Sequence, residues 1–324
     1  MLSLTKGKPI ALITTKVAGA LPFGREALRV KPHYVFIKDG EDDEEKSDID
    51  MAPDHKVKIL TNFLKLDPKL SLKDMNIMTD AYSKGIFSLD GKLERKYDDA
   101  IAFVKKSLKC FLQYPKSESL FPVISPDEGN YRLLICGNTG SGKSWFCKEF
   151  IKHNRHKGQT ILLFCPFEDD ESFKGLKDII YCDLDNLEDE IDREFTIEDI
   201  PKHSIVIFDD IDSSRDKKLV KRLESLRDKC LQIGRHKEYD ISTISIIHNA
   251  MAGNATKVCL RESSAFVCFP AWNMRDTKAL LKTYSGYTEK AINELLSQSS
   301  RWAYCCKRSP TYYITEHSVR LFTN

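Results

Sequence analysis

An unbroken G-x-x-x-x-G-K-[ST] loop runs through Gly137, Asn138, Thr139, Gly140, Ser141, Gly142, Lys143 and Ser144. Glycines at these spacings let backbone N–H groups converge on the α- and β-phosphates of a nucleotide. Lys143 then reaches the β- and γ-phosphates, and the Ser144 hydroxyl is placed to ligate Mg²⁺. The chemistry implied is binding of a nucleoside triphosphate. Downstream, the apolar run Ile205-Val206-Ile207-Phe208 closes in Asp209-Asp210. Two acids at a strand exit are ordinary by themselves; after a complete P-loop they read as a Walker B. A carboxylate at the tip of a buried strand can hold the Mg²⁺ that bridges the β- and γ-phosphates, the role expected of Asp209. Asp210, one residue on, faces the other way and is expected to orient or deprotonate the attacking water.

Three weaker signals surround this pair. The apolar run Ile241–Ile247 ends in His248-Asn249, and either side chain fits a sensor of the γ-phosphate. Arg261, in Leu260-Arg261-Glu262-Ser263, is a candidate finger reaching a neighbouring subunit's nucleotide; the competing reading is a surface ion pair with Glu262. The compact basic turn Gly234-Arg235-His236-Lys237 follows a helical stretch carrying Lys217, Lys218, Lys221, Arg222, Arg227 and Lys229 on its expected solvent side. Such a turn is a candidate contact for DNA phosphates.

These residues need a frame. Tyr131–Cys136 reads as a buried strand leading into the loop, and Ser144–Lys157 as the helix that opens from it, with Gly158 as its stop. Thr160–Cys165, Ser204–Phe208, Ile241–Ile247 and Ala265–Phe269 read as further strands. Lys217–Ile233 reads as a helix with Leu219, Leu223, Leu226, Cys230 and Ile233 on one face. Strands alternating with helices predict an α/β fold, a P-loop core on a mostly parallel sheet covered on both faces. Two helices, Met274–Tyr284 and Thr288–Ser297, precede an expected C-terminal β-hairpin of Trp302–Lys307 and Tyr312–Thr315 with Ser309-Pro310 in its turn. A smaller N-terminal α+β region is expected from strands at Pro9–Thr15 and His33–Lys38 and helices at Lys56–Lys65 and Tyr97–Leu112. Between them Glu41–Asp50, EDDEEKSDID, reads as a solvated acidic linker. The proline-bearing stretch Gln113–Gly129 reads as a connection. It divides residues 1–125, which carry no recognisable chemistry, from an ATPase domain over residues 126–324.

Composition narrows the class. A chain of 324 residues that is 41% hydrophobic and 30% charged has the make-up of a globular protein. No apolar run is long enough for a membrane span, and Met1–Leu12 lacks a signal-peptide core. The ten cysteines include no C-x-x-C pair, so unpaired core thiols are expected rather than disulfides or a zinc site. A net charge of +2 leaves any nucleic-acid surface to local clusters.

The set GNTGSGKS, IVIFDDID, LQIGRHKEYDISTISIIHN and TKVCLRES-AFVCFP resembles the viral genome-packaging ATPases of the FtsK/HerA superfamily, found in large DNA viruses, virophages and polinton-like elements. Leu280–Gly286 followed by Ser300-Arg301-Trp302 is similar to the C-terminal part of the virophage-type members. The likeness spans roughly residues 128–322. It implies ATP and Mg²⁺ as ligands, ATP hydrolysis coupled to double-stranded DNA translocation, and a homo-oligomeric ring. It also implies capsid or portal-vertex partners and residence in the host cytoplasm, at the viral assembly site, and in the virion. Matched by position, Lys143 and Ser144 are Walker A, Asp209 and Asp210 are Walker B, and His248 is the sensor. Many relatives have Glu at the position of Asp210 and Gln at that of His248. Arg261 and Arg301 both match the family's trans-acting arginine. Two other functional classes share the P-loop. One is a nucleotide-dependent DNA-binding or remodelling ATPase without processive transport. The other is a nucleoside or nucleotide kinase, which would ordinarily lack the acid pair and the strand-tip sensor.

Overall fold

Apolar runs as short as Arg132–Cys136 bury themselves only when neighbours pair along both edges and helices cover both faces. The computed structural model describes residues 1–4, 6–15, 33–38, 53–65, 67–114, 118–166, 171–183, 196–251, 253 and 256–322. The acidic run Glu41–Asp50 lies outside them. In chain order the elements begin with strands β1 (Leu2–Ser3), β2 (Lys8–Thr15) and β3 (His33–Ile37) and helices α1 (Pro53–Leu64), α2 (Leu72–Ser83) and α3 (Glu94–Leu108). Strands β4 (Phe111–Gln113), β5 (Glu118–Pro122) and β6 (Arg132–Cys136) lead into α4 (Lys143–Asn154). Next come β7 (Thr160–Cys165), β8 (Ile179–Asp183), β9 (Ser204–Asp209), α5 (Lys217–Ile233), β10 (Ile241–Ile247), α6 (Lys257–Glu262) and β11 (Ala265–Cys268). The chain closes with α7 (Met274–Tyr284), α8 (Glu289–Leu296) and the strands β12 (Ala303–Cys306), β13 (Tyr312–Thr315) and β14 (Ser318–Leu321).

The fold is α/β. A ten-stranded sheet has the order β4-β14-β13-β12-β11-β6-β10-β9-β7-β8. From β11 to β8 every pairing is parallel, and from β11 outward through β12, β13, β14 and β4 every pairing is antiparallel. The expected hairpin is thus two strands of a larger antiparallel extension. Alternation along the central strands sorts side chains to two faces. Leu133, Ile135, Ile205 and Ile207 meet Phe146, Cys147, Phe150 and Ile151 of α4 on one face. Val206 and Phe208 meet Leu219, Leu223 and Leu226 of α5 on the other, and Leu134 and Phe266 meet Leu280, Leu281 and Ile292 of α7 and α8. Arg227 departs from the expected solvent face of α5: it is buried and paired with Asp228 at 2.9 Å.

The N-terminal region forms a second, four-stranded sheet of order β1-β3-β2-β5 and a three-helix layer around Leu60, Met78, Tyr97, Ala100 and Val104. Residues expected to form one helix to Leu112 divide at Leu108, and Phe111–Gln113 joins the large sheet through β14. The expected connection 113–129 contributes β5 to the small sheet. Buried Asn154, at the end of α4, fastens this connection: its amide donates to Pro122 and Phe150 carbonyls and its oxygen accepts from the Ile124 N–H. All ten cysteines are free thiols.

Candidate nucleotide-binding site

Strand β6 delivers the loop Gly137–Ser144 at its carboxyl end, and α4 starts at Lys143. Gly140 and Gly142 hold φ of +79° and +98°, a left-handed backbone that side-chain-bearing residues avoid. Gly137 is required for a different reason. A Cβ there would stand 2.6 Å from Ser141 Oγ and 2.7 Å from the Phe269 ring. Phe269, following β11, therefore forms the back of the loop. The Ser141 hydroxyl is buried beside Gly137 with no hydrogen-bond partner in the protein.

The sheet order brings the acids to this loop. Strand β10 lies between β6 and β9, so the tips of β9 and β10 stand beside Lys143. Its ammonium approaches His248 Nδ1 at 3.1 Å and the Asn138 carbonyl at 3.4 Å. His248 Nε2 lies 2.7 Å from Asp210 Oδ2. An ammonium can only donate, so His248 Nδ1 accepts and the ring proton on Nε2 points to Asp210. Lys143, His248 and Asp210 thus form one continuous chain. The two acids differ in setting. Asp209 ends β9 and is buried, whereas Asp210 leaves the strand with φ +47° and turns its carboxylate to His248. Burial pushes the Asp210 carboxyl above its ordinary range, while His248 and Lys143 pull it back toward ionisation. Asp210 Oδ1 is buried and lacks a hydrogen-bond partner, so it remains available to a water or substrate atom.

Of the two strand-tip candidates, His248 reaches the site. Asn249 instead accepts the Met251 N–H at 2.9 Å and shapes the following turn. The donor set suits Mg²⁺: Ser144 and Asp209 offer a hydroxyl and a carboxylate beside the loop, and this ion binds through one or two carboxylates together with phosphate oxygens. Among the described residues there is no cluster of three or more His, Cys, Asp or Glu to cage a metal by protein alone.

The arginines separate. Arg261 sits on α6 ahead of β11, which runs parallel to β6 with Ala265 opposite Leu133. It therefore lies at the amino-terminal edge of the sheet, away from its own Lys143. Glu262 pairs with Arg132 at 3.0 Å rather than with Arg261, and the Arg261 carbonyl accepts from Lys307 at 3.2 Å. Arg301 is nearer the loop. Its Nε donates to Glu316 at 2.7 Å and its guanidinium lies 5.4 Å from the centre of the Trp145 ring. The turn Gly234–Lys237 precedes β10 and so lies on the same amino-terminal edge as Arg261. Trp145, Phe269 and Asn273 were not singled out by motif. Asn273 Nδ2 reaches Asn138 Oδ1 at 3.5 Å, linking the loop after β11 to the P-loop. Only Trp145 carried a local signal, as a bulky aromatic directly after Ser144.

No family model matches the chain. It is 27% identical over 190 residues to the uncharacterised protein V3 of the Sputnik virophage, a match covering 58% of this chain and 76% of that protein. Among solved structures it is similar to the genome packaging NTPase B204 of Sulfolobus turreted icosahedral virus 2 in complex with AMPPCP. That match has 12% identity and a TM-score of 0.37, covering 60% of this chain and 97% of the other. It is also similar to the pCW3 conjugation coupling protein TcpA with ATPγS, at 13% identity and a TM-score of 0.38, covering 65% of each chain.

Proposed function

We propose that the chain is an ATP-hydrolysing double-stranded DNA translocase that packages a viral genome into a capsid. It would act as a homo-oligomeric ring, with capsid or portal-vertex proteins as partners, at the viral assembly site in the host cytoplasm. Residues 126–324 are the proposed ATPase unit. The observation that carries the reading is the unbroken contact from Lys143 through His248 to Asp210, which spans the loop and the tips of both neighbouring strands. A kinase needs no such water-directing acid. The likeness to the Sputnik virophage protein supports the viral setting.

In the proposed reaction Lys143 leaves His248 for the β- and γ-phosphate oxygens. Asp210 accepts a proton from water as its oxygen bonds to the γ-phosphorus and the bond to the β–γ bridging oxygen breaks. His248, relieved of Lys143, keeps its Nε2–H on Asp210 and holds that carboxylate in place. Ser144 and Asp209 would hold Mg²⁺, which, when bound, neutralises charge developing on the phosphoryl oxygens. Coupling to DNA is tested in two stages. ATP turnover of the full chain should rise on adding duplex DNA, and the protein should displace a triplex-forming strand or streptavidin block in an ATP-dependent manner. ATP turnover indifferent to DNA would overturn translocation; DNA stimulation without displacement would reduce the protein to a DNA-dependent remodelling ATPase.

A further inference from the structure

The sheet order fixes which way a nucleotide lies. Catalytic groups approach the P-loop from β9 and β10, on one side of β6. The γ-phosphate end therefore faces that side, and the remainder of the molecule leaves toward β11 and β12 on the other. What waits there is a groove of about 260 Å³ lined by Pro270, Ala271, Met274, Ser300, Arg301 and Glu316. Its wall is tied to the P-loop through Asn273 and Asn138. Trp145 stands beside it on the first turn of α4, one residue beyond Ser144.

The segment Ser300–Trp302 runs alongside that turn and doubles the contact. Trp302 is buried against Phe146, with ring centres 5.0 Å apart, while Arg301 faces outward over Trp145. Arg301 is not loose. Both its backbone N–H, at 2.9 Å, and its Nε, at 2.7 Å, donate to the nearly buried Glu316. Burial alone would raise the Glu316 carboxyl, but these bonds from Arg301 hold it below the ordinary range. The result is a fixed guanidinium against an indole that remains 45% exposed, a large flat apolar surface with no packing partner sufficient to cover it.

We infer that Trp145 and Arg301 form the seat of the nucleobase, a stacking platform that grips the base by its face rather than by its edge. The proposal rests on the P-loop reading above. Stacking is tolerant because every base has a π-face. Edge recognition of guanine calls for a free carboxylate, and Glu316, the acid in the groove, spends both its oxygens on Arg301 and Ser300. The platform should therefore separate purines from pyrimidines by ring size and discriminate weakly between ATP and GTP.

The test is a binding titration of the full-length protein with Mg²⁺ and non-hydrolysable analogues of ATP, GTP and CTP, alongside inorganic tripolyphosphate. Trp145→Ala should weaken both purine nucleotides about tenfold or more and leave tripolyphosphate within about twofold. Trp145→Phe should restore most of the loss, which a merely disrupted helix start would not allow. Wild-type protein should hold the ATP and GTP analogues within a few-fold of one another and the CTP analogue more weakly. Purine affinities unchanged in Trp145→Ala, or tripolyphosphate lost in parallel with them, would overturn the seat. Lys143→Ala separates the two readings: it should weaken all four ligands, and if it spares tripolyphosphate the P-loop reading itself fails.

Discussion

A half-buried carboxylate proposed as a base is constrained from two directions, and Asp210 shows both. Removal from water favours its neutral form, while His248 and Lys143 favour the anion. Because the net effect is upward, the acid limb of kcat/KM should lie above the 3.8 of an ordinary Asp, since activity requires the anion and is lost as pH falls through its pKa. His248→Ala removes one of the groups that pull the pKa down. The limb should then move to still higher pH, whereas a limb that stays in place in a pH–rate profile would separate His248 from the base. The acids should also divide by substitution. Asp210→Asn preserves size and hydrogen bonding but discards the basic oxygen, so nucleotide binding should survive and turnover fall by about 10²-fold or more. Asp209→Asn should instead weaken Mg²⁺-dependent binding. Identical behaviour of the two in a nucleotide titration would remove this division of labour.

At the scale of elements, the site depends on how firmly α4 is anchored beneath the loop. Phe146 is fully buried where three elements meet, stacked on Phe121 of β5 at 5.1 Å and edge-to-face with Trp302 at 5.0 Å. Phe146→Ala should cost about 3–5 kcal/mol, because the surrounding rings are held by separate elements and cannot collapse together into the void. Urea unfolding would read this as a lower midpoint at unchanged slope; a loss under about 1 kcal/mol would mean the cavity closes. The same packing explains what the sequence disclosed. Strands β6, β7, β9, β10 and β11 are mostly apolar, buried and bounded by turns, so local pattern identifies them. Helix α2 escaped because only Met78 and Ala81 are buried, leaving no clear stripe. Strand β8 is at the sheet's edge with Ile180 exposed, and β5 ends in Pro122 within a proline-bearing stretch. The division of α3 from β4 is a tertiary effect, since Phe111 and Leu112 keep helical spacing but find partners in β14. In the site, Walker A and Walker B were legible because each is contiguous. The Lys143–His248–Asp210 chain required strand order, and Arg301–Glu316–Trp145 joins residues no local pattern connects.

For the molecule as a whole, the sheet presents two edges of different character. Its carboxyl edge carries the candidate nucleotide site. Its amino edge gathers Arg132, Arg235 and Arg308, close enough that the latter two help push the Arg132 guanidinium down, after burial itself. Arg261 lies on this amino edge too. Strand β10 separates the edges by roughly 20 Å. An arginine so placed cannot complete its own subunit's site, so any catalytic part for Arg261 must be played on a neighbour's nucleotide. Two consequences follow for a ring. Arg235→Ala should weaken duplex binding and flatten its dependence on salt by about one counterion, and unchanged DNA-stimulated turnover in that variant would remove the turn from the mechanism. Specific ATPase activity should also climb with protein concentration, since an isolated chain lacks the neighbour's arginine. The sharper measurement mixes Lys143→Ala with Arg261→Ala, each inactive alone. In a mixed ring, an intact P-loop from the arginine variant can sit beside the intact Arg261 of the lysine variant. A finger of this kind is worth about 10³–10⁵ in rate, so even sparse productive neighbours should stand above background. Arg301, held in cis by Glu316, should give no such rescue when Arg301→Ala replaces Arg261→Ala. Flat specific activity with no rescue from either mixture would leave a self-sufficient monomer, and the ring with its shared site would be the part of the reading to abandon.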